Sequence, residues 1–539
     1  MSANDPIPIR KAHRPSSQEM VRENAANELV FAVVGHIGSG TSTVAECLGE
    51  ALEARDLQGG AYEVSFLKAR EEIEAWEAKN GHVPPGQPAD RLKRTEKLQD
   101  GGDRMRHESG DHAAVAVRLV QRIRATRAVR QKLGEIAEDR PVPPDGVRRA
   151  YILDAIRHPA EVHLLRSVYQ QAFTLIGVVC DEDLRKKRVQ DKLNAGPRDA
   201  DNLMKRDARA PEKWGQRVSE AFYLADVFID NSESRWLPEP NRKVVNPRWG
   251  IPEQLKRLVE IITHARVIRP TAAETAMYHA YGAQMRSACL SRQVGAAIVD
   301  QHGNLVSTGT NEVPRAGGGV YGGGFDDAQQ KDNQGIDDRC AYRGDRKFCS
   351  NTQEQKEIAE ELVRELIEKN LGREKDRESI LEALRDSRIG SLLEFSRAVH
   401  AEMDALLTAG RLGKSTRGTR AFVTTEPCHY CARHLVSAGV DEVQYIEPYP
   451  KSRAFKLHSD SITPDPKNWK PPGQGGDKVL FRPFTGIAPR MYRRAFLKDR
   501  DLKNDEMGHL EIGEPSWESP WHLGRVGYVE LEALLQKRS

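Results

Sequence analysis

The chain has 539 residues, a length at which one hydrophobic core stops growing and two domains are expected. Its 82 basic and 79 acidic side chains leave a net charge of +3, so the overall balance calls for neither nucleic acid nor an anionic membrane as partner. The first residues lack the apolar stretch of a secretory signal and no run of about 20 apolar residues could span a bilayer; with seven cysteines making no disulfide framework, the chain reads as cytoplasmic, with reduced thiols and no membrane partner.

Residues 1–26 are polar and contain prolines, and a flexible tail is expected. Residues 27–268 are expected to form a first domain. After Glu28 the run LVFAVVG predicts a buried strand, followed by a glycine-rich turn and a helix from about Thr43 to Leu52. Apolar runs at Ala150–Ile156, Phe173–Cys180 and Ala225–Ile229 alternate with helical patterns at His112–Leu133 and His158–Gln171, which predicts a parallel α/β sheet. The arginines from Arg118 to Arg130 read as a solvated helix face. Proline, arginine and asparagine gather between Trp236 and Gly250, and the boundary is placed at Arg269-Pro270.

In this first domain Gly35-His36-Ile37-Gly38-Ser39-Gly40-Thr41-Ser42 follows a strand and opens a helix, the setting that a phosphate-binding loop needs. Its backbone N–H groups can cradle phosphate at the positive end of the helix. Thr41 stands where such a loop carries the lysine that reaches the outer phosphates, whereas Ser42 keeps the hydroxyl that holds Mg²⁺. The expectation is a bound nucleotide, with Mg²⁺, that is turned over poorly. The plainer alternative is an ordinary strand-to-helix turn.

Residues 270–539 are expected to form a second α/β domain. It opens with a helix over Thr271–Ser291, a strand over Val294–Val299, a turn at His302-Gly303-Asn304 and a strand over Leu305–Thr310. A polar insertion over 317–391 contains an amphipathic helix around Glu354–Lys369 and reads as a lid or an oligomer contact. His400-Ala401-Glu402 then heads a helix, and after a strand over Arg420–Thr424 the run Pro427-Cys428-His429-Tyr430-Cys431 begins another. One imidazole (His400) and two thiolates (Cys428, Cys431) leave the fourth tetrahedral position of Zn²⁺ open to water, which separates a catalytic zinc from a closed structural one. The metal brings that water's pKa towards neutrality, and the Glu402 carboxylate is suited to shuttle its protons. A lone Cys-x-x-Cys is more often structural or redox-active, but its combination with His-x-Glu has the pattern of zinc-dependent base deaminases. His429 and His434 are the alternative ligands.

Residues from about 271 to 490 resemble the deoxycytidylate deaminase branch of the cytidine deaminase superfamily. Besides the two metal half-sites, the likeness is carried by Ser287-Ala288-Cys289-Leu290-Ser291-Arg292-Gln293-Val294-Gly295-Ala296. It is carried also by Gly309-Thr310-Asn311-Glu312-Val313-Pro314-Arg315, which resembles that branch's glycine-tyrosine-asparagine-glycine-x-proline turn with Thr310 and Glu312 in place of tyrosine and glycine. The resemblance implies an α/β/α sandwich in which Arg292 holds a nucleotide phosphate, Asn311 bonds the sugar, and Val294 and Ala401 line the substrate. Lys451 and Arg490, in Tyr445–Ser452 and Phe481–Arg490, would add basic groups near the pocket. A second, structural zinc at Cys289, Cys340 and Cys349 is implied too, against the plainer reading of three inert thiols.

The first domain resembles P-loop nucleotide kinases at the loop itself, at Asp154-Ala155-Ile156-Arg157-His158-Pro159, where Asp154 looks like the strand-end aspartate and Arg157 like the substrate-facing arginine, and at Ala225–Ser232. Arg185, Arg188 and Arg206 fall where such kinases carry lid arginines. The pairing of the two domains resembles the bacterial antiphage deoxycytidylate deaminases. That resemblance implies zinc-dependent conversion of free dCTP and dCMP to dUTP and dUMP with release of ammonia, and depletion of dCTP during phage infection. It implies also restraint by the P-loop domain through a nucleotide or RNA regulator, and a homo-oligomer, by analogy a hexamer. A deaminase of tRNA or single-stranded nucleic acid would call for a basic groove with stacking aromatics, and aromatics make up only 6% of the chain. A P-loop nucleotide switch with a passive deaminase fold is opposed by the intact His400, Glu402, Cys428 and Cys431.

Overall fold

The computed structural model describes residues 26–54, 60–82, 90–134, 140–237, 244–321, 349–387, 389–392, 395–449, 452–498, 503, 507–510 and 532. The expected tail up to residue 25 lies outside them. The chain divides into two compact units, Met1–Ile268 with Arg494–Ser539, and Arg269–Arg493. The described residues from Arg494 onward therefore group with the first unit, whereas the sequence reading carried the second domain to residue 539. Among the described residues no helix is long and apolar enough to cross a membrane.

In the first unit, strands β1 (Glu28–Val34), β2 (Glu63–Lys68), β3 (Arg149–Ile156), β4 (Phe173–Val179) and β5 (Val227–Asp230) run parallel in the order β5-β4-β1-β3-β2. Every residue of β1 and β4 is buried. Unbroken runs of Val, Leu, Ile and Phe do this when helices cover both faces of a parallel sheet. The glycine-rich turn leaves the carboxyl end of β1 and leads into the helix Thr41–Leu52, beside Asp154 near the end of β3 and Asn231 just after β5.

The helix Ala114–Arg130 corrects the reading of its arginines as a solvated face. Arg124 and Arg127 are buried, and Arg122 pairs with Glu72 at 2.7 Å. Arg127 donates to both oxygens of Glu28 at 2.9 Å, to the Val142 carbonyl at 3.0 Å and to Glu532 at 2.6 Å. Tyr169 donates to the same Glu532 at 2.8 Å. A guanidinium offers five donors in a planar fork, and here two carboxylates and a carbonyl from distant parts of the chain fill it. This explains why Glu532, near the end of the chain, belongs to the first unit.

In the second unit, β6 (Gly295–Val299), β7 (Leu305–Thr310), β8 (Arg420–Thr425), β9 (Glu442–Glu447), β10 (Ile462–Thr463) and β11 (Val479–Pro483) form a sheet of order β10-β11-β9-β8-β6-β7. β6 is antiparallel to β7 and β8, and the remaining pairs are parallel. Its core gathers Ile298, Ala405, Val423, Leu435, Val443 and Phe481. The described part of the insertion builds a small core of its own from Ala359, Val363 and Leu381, between the helices Ser350–Glu368 and Arg377–Asp386.

The first helix of this unit, capped reciprocally by Thr271 and Glu274, runs over Ala272–Gln284 and stops short of the expected Ser291. The residues beyond it are drawn off helical geometry by partners elsewhere. Ser287 donates to the Asn311 carbonyl at 2.8 Å, and the Ala288 N–H donates to Glu312 at 2.7 Å.

Arg127→Ala would leave Glu28 and Glu532 buried without their shared cation. The expected loss is about 3–5 kcal/mol of stability in the first unit, read as a lower denaturant midpoint for that unit's transition in the full chain.

Candidate active site

The site begins with a close packing of backbone on backbone. β7 lies against the helix Ala401–Arg411, and at Gly309 a Cβ would stand 2.2 Å from the Ala401 carbonyl oxygen and 2.3 Å from the Ala405 nitrogen. Glycine is the residue that permits this approach. The Ser307 hydroxyl donates to the Ala405 carbonyl at 2.8 Å, and the Thr310 N–H donates to Asp404 at 3.0 Å. The start of the helix is thus fixed on the sheet, with His400 at its N-cap and Glu402 in its first turn.

Cys428 is likewise the N-cap of the helix His429–Ser437, with Cys431 in its first turn. His400 Nδ1 lies 3.4 Å from Cys428 Sγ and 3.3 Å from Cys431 Sγ, and all three ligand atoms fall within 4.8 Å of one another. A hydrogen bond with Cys428 draws the His400 imidazole up to about 9. Hydrogen bonds from Cys431 and then from His400 pull the Cys428 thiol down to about 4. The Cys431 thiol is pushed well above its usual value, first by its bond to Cys428 and then by burial. One thiolate is therefore favoured already, and the second calls for a cation. Two sulfurs and an imidazole at this spacing are the donor set of zinc.

Glu402 is buried beside them, and burial raises its carboxyl to about 7, against the opposing pull of His400. A carboxyl held near neutrality can both take and give a proton. Glu402 and Ala401 open on a cavity of about 340 Å³ whose wall also includes Arg292, Val294 and Asn311. Asn311 donates to the Arg292 carbonyl and accepts from the Val294 N–H, each at 2.6 Å. One N–H and one lone pair of its amide remain for a ligand. Arg292 pairs with Glu447 at 2.8 Å and lies 6.0 Å from the centre of the Tyr449 ring.

Other expected residues stand elsewhere. Arg490 is exposed on the helix Pro489–Phe496 and is not on the cavity wall. That helix turns it outward, while the preceding Ile487 N–H is anchored to Glu274 at 2.8 Å. Lys451 and Cys340 lie outside the described residues. Cys289 and Cys349 both line the cavity, with Cys349 Sγ 3.6 Å from the Ser291 hydroxyl. Among the described residues they join no third metal-binding side chain, and His400, Cys428 and Cys431 form the one such cluster. His429 and His434 are not part of it; His434 bonds the Tyr430 carbonyl. Sequence reasoning assigned no role to Glu426 and Tyr449, which line the cavity, or to Glu447, which pairs with Arg292. Glu426 accepts the Tyr449 N–H at 2.8 Å, and burial raises its carboxyl to about 7. The available signal was its place directly before Pro427-Cys428.

In the first unit, Gly40 has φ 87°, and a Cβ there would stand 2.3 Å from the Asn231 side-chain nitrogen. Asn231 donates to the Ser39 carbonyl at 2.7 Å, and Ser42 donates to Asp154 at 2.7 Å. Arg157 donates to the Gly35 carbonyl at 3.0 Å and to Asp207 at 2.9 Å. A cavity of about 920 Å³ opens over this loop, with Gly38, Gly40, Thr41, Ser42, Asp154 and Arg157 on its wall. Gly35 and Ser39 are not on that wall and lie behind the loop, held by Arg157 and Asn231. Arg188 reaches this cavity, whereas Arg206 is turned to Asp100 and Asp103.

A family model of the cytidine and deoxycytidylate deaminase zinc-binding region matches residues 270–447. The second unit therefore carries a cytidine and deoxycytidylate deaminase zinc-binding region. The chain is 28% identical over 181 residues to the deoxycytidylate deaminase of Enterobacteria phage T4, covering 34% of this chain and 80% of that protein. It is 26% identical over 187 residues to that of phage T2, covering 34% and 82%. Among solved structures it resembles the dCMP deaminase of cyanophage S-TIM5 in complex with dCMP and dUMP, at 17% identity over 40% of this chain and 99% of that one. The TM-score is 0.22, from which nothing follows for this chain.

Gly309→Val is expected to force the helix start off β7 and weaken zinc affinity of the deaminase by more than about tenfold. Metal retained per chain after dialysis against a graded chelator reads the loss.

Proposed function

We propose that the deaminase unit removes the 4-amino group of free deoxycytidine nucleotides, dCMP and dCTP, giving the deoxyuridine nucleotides and ammonia. The observation that carries this is the placement of a buried carboxyl, Glu402, beside the His400, Cys428 and Cys431 cluster, on the wall of a cavity lined also by His400, Cys428 and Arg292. Zinc, when held by those three residues, supplies the Lewis acidity that makes water a nucleophile near neutral pH. Glu402 accepts the proton that the water gives up, passes it to the ring nitrogen, and helps the amino group leave as ammonia. Val294 and Ala401 bound the ring, the remaining valences of Asn311 meet the sugar, and Arg292 exchanges Glu447 for the phosphate. A cavity of about 340 Å³ suits a single small ligand.

The first unit, on this reading, is a P-loop nucleotide-binding domain that restrains the deaminase. Ser42 and Asp154, 2.7 Å apart, are disposed to share Mg²⁺, and the backbone around Gly38 and Gly40 receives phosphate. With Thr41 in the lysine's place, binding outlasts turnover. The restraint, by a nucleotide or RNA, would keep a cytoplasmic homo-oligomer from draining the cell's own dCTP until a phage replicates.

Purified protein with zinc should release ammonia from dCMP or dCTP and leave a cytosine-containing oligonucleotide unchanged; activity on the oligonucleotide alone would refute the reading. Glu402→Ala should lower kcat by at least about 10²-fold with zinc content unaltered. Ser42→Ala and Gly40→Asp should weaken nucleotide binding to the first unit, read by calorimetry, and alter the restraint on the deaminase more than its kcat.

A further inference from the structure

We infer that Glu312 is a positioning residue of the deaminase site, whose buried carboxylate holds the arginine-bearing wall of the cavity in register with the chain leading into His400. The inference rests on the proposed action on nucleotides.

Between the helix Ala272–Gln284 and β6, the segment Ser287–Val294 has no regular structure. It nonetheless supplies Cys289, Leu290, Ser291, Arg292 and Val294 to the cavity. An irregular segment keeps its place only through specific bonds, and here those that reach its main chain from outside it and the preceding helix come from two adjacent residues. Asn311 holds the far end, at Arg292 and Val294. Glu312 holds the near end: one oxygen accepts the Ala288 N–H at 2.7 Å and the other the Val313 N–H at 2.8 Å. Its main-chain oxygen accepts the Val399 N–H at 3.0 Å, one residue before His400. One residue thus touches the wall that carries Arg292 and the lead-in to the metal cluster.

Glu312 is 1% exposed, and among the described residues its side-chain partners are main-chain N–H groups. Burying a carboxylate is costly unless such charge-assisted bonds compensate. The turn that this segment resembles carries glycine here, which has no acceptor to offer Ala288. A carboxylate kept at that cost fixes a distance, the one between the phosphate end and the reacting end of the substrate. The side chain governs the wall and the main chain governs the lead-in, so altering the side chain should move substrate affinity and spare the chemistry.

Glu312→Gln keeps the shape but turns one acceptor into a donor that faces an N–H. With zinc-loaded full-length protein, KM for dCMP should rise about tenfold, with kcat within about twofold of wild type. The kinetics on phosphate-free deoxycytidine and the zinc content should not change. In an Arg292→Ala background the same substitution should add nothing, because Glu312 acts through Arg292. An effect that multiplies with Arg292→Ala, or an equal fall of kcat on both substrates, would overturn the inference. If Glu312→Gln fails to fold, Glu312→Asp, which keeps the charge on a shorter stem, goes through the same cycle with the same criteria. A wild type active on dCMP with independent effects overturns this inference alone; a wild type inactive on dCMP, dCTP and deoxycytidine overturns the proposed function with it.

Discussion

The deaminase unit depends on how closely two pieces of backbone meet at Gly309. The main chain of β7 and that of the helix Ala401–Arg411 approach within what any side chain would forbid, and the Ser307 and Thr310 bonds lock the contact. This sets the height of His400 and Glu402 above the sheet. The parallel pair β8 and β9 then brings the second helix start, with Cys428 and Cys431, to the same level. Two helix N-termini converge, and their partial positive charge favours the thiolate of Cys428, while that of Cys431 calls for a cation.

Both units use the carboxyl edge of parallel strands in the same way. In the first, the glycine loop follows β1, Asp154 lies near the end of β3 and Asn231 follows β5. In the second, Thr425 ends β8 with Glu426 just beyond it, while Glu447 ends β9 and Tyr449 follows it. Chain leaving a parallel strand must turn away from the sheet, and the crevices left where neighbouring turns diverge are where α/β sheets receive ligands. One sheet is wholly parallel over the strands described, the other has β6 reversed between β7 and β8, and each presents its cavity at that edge.

The local patterns were legible in the sequence. Apolar runs marked most long strands, and the spacings His-x-Glu and Cys-x-x-Cys marked a metal site because ligands near one helix start are also neighbours in sequence. Partners distant in sequence left no such trace. Arg127 looked like any arginine on a polar face because Glu28 and Glu532 stand 99 and 405 positions away. The helix after Thr271 was read seven residues too long because helical propensity carries no notice that the Asn311 carbonyl will engage the Ser287 hydroxyl and that Glu312 will claim the Ala288 N–H. Glu312 was visible as a departure from a turn pattern, but periodicity could not say what its carboxylate would hold. Arg490 was placed near the cavity by its sequence neighbourhood, and the turn into its helix sends it outward.

The ion pair between Arg292 and Glu447 has a consequence for traffic through the cavity. An anion that takes the guanidinium does so by displacing a carboxylate that stays tethered a short distance away at the end of β9. Entry is then an exchange of one negative partner for another, and shape counts for more than attraction. The displaced group remains at hand, ready to reclaim the arginine. On the proposed action on nucleotides, a product that kept a phosphate would meet a resident competitor on its way out, so the tether that tempers capture would also hasten departure.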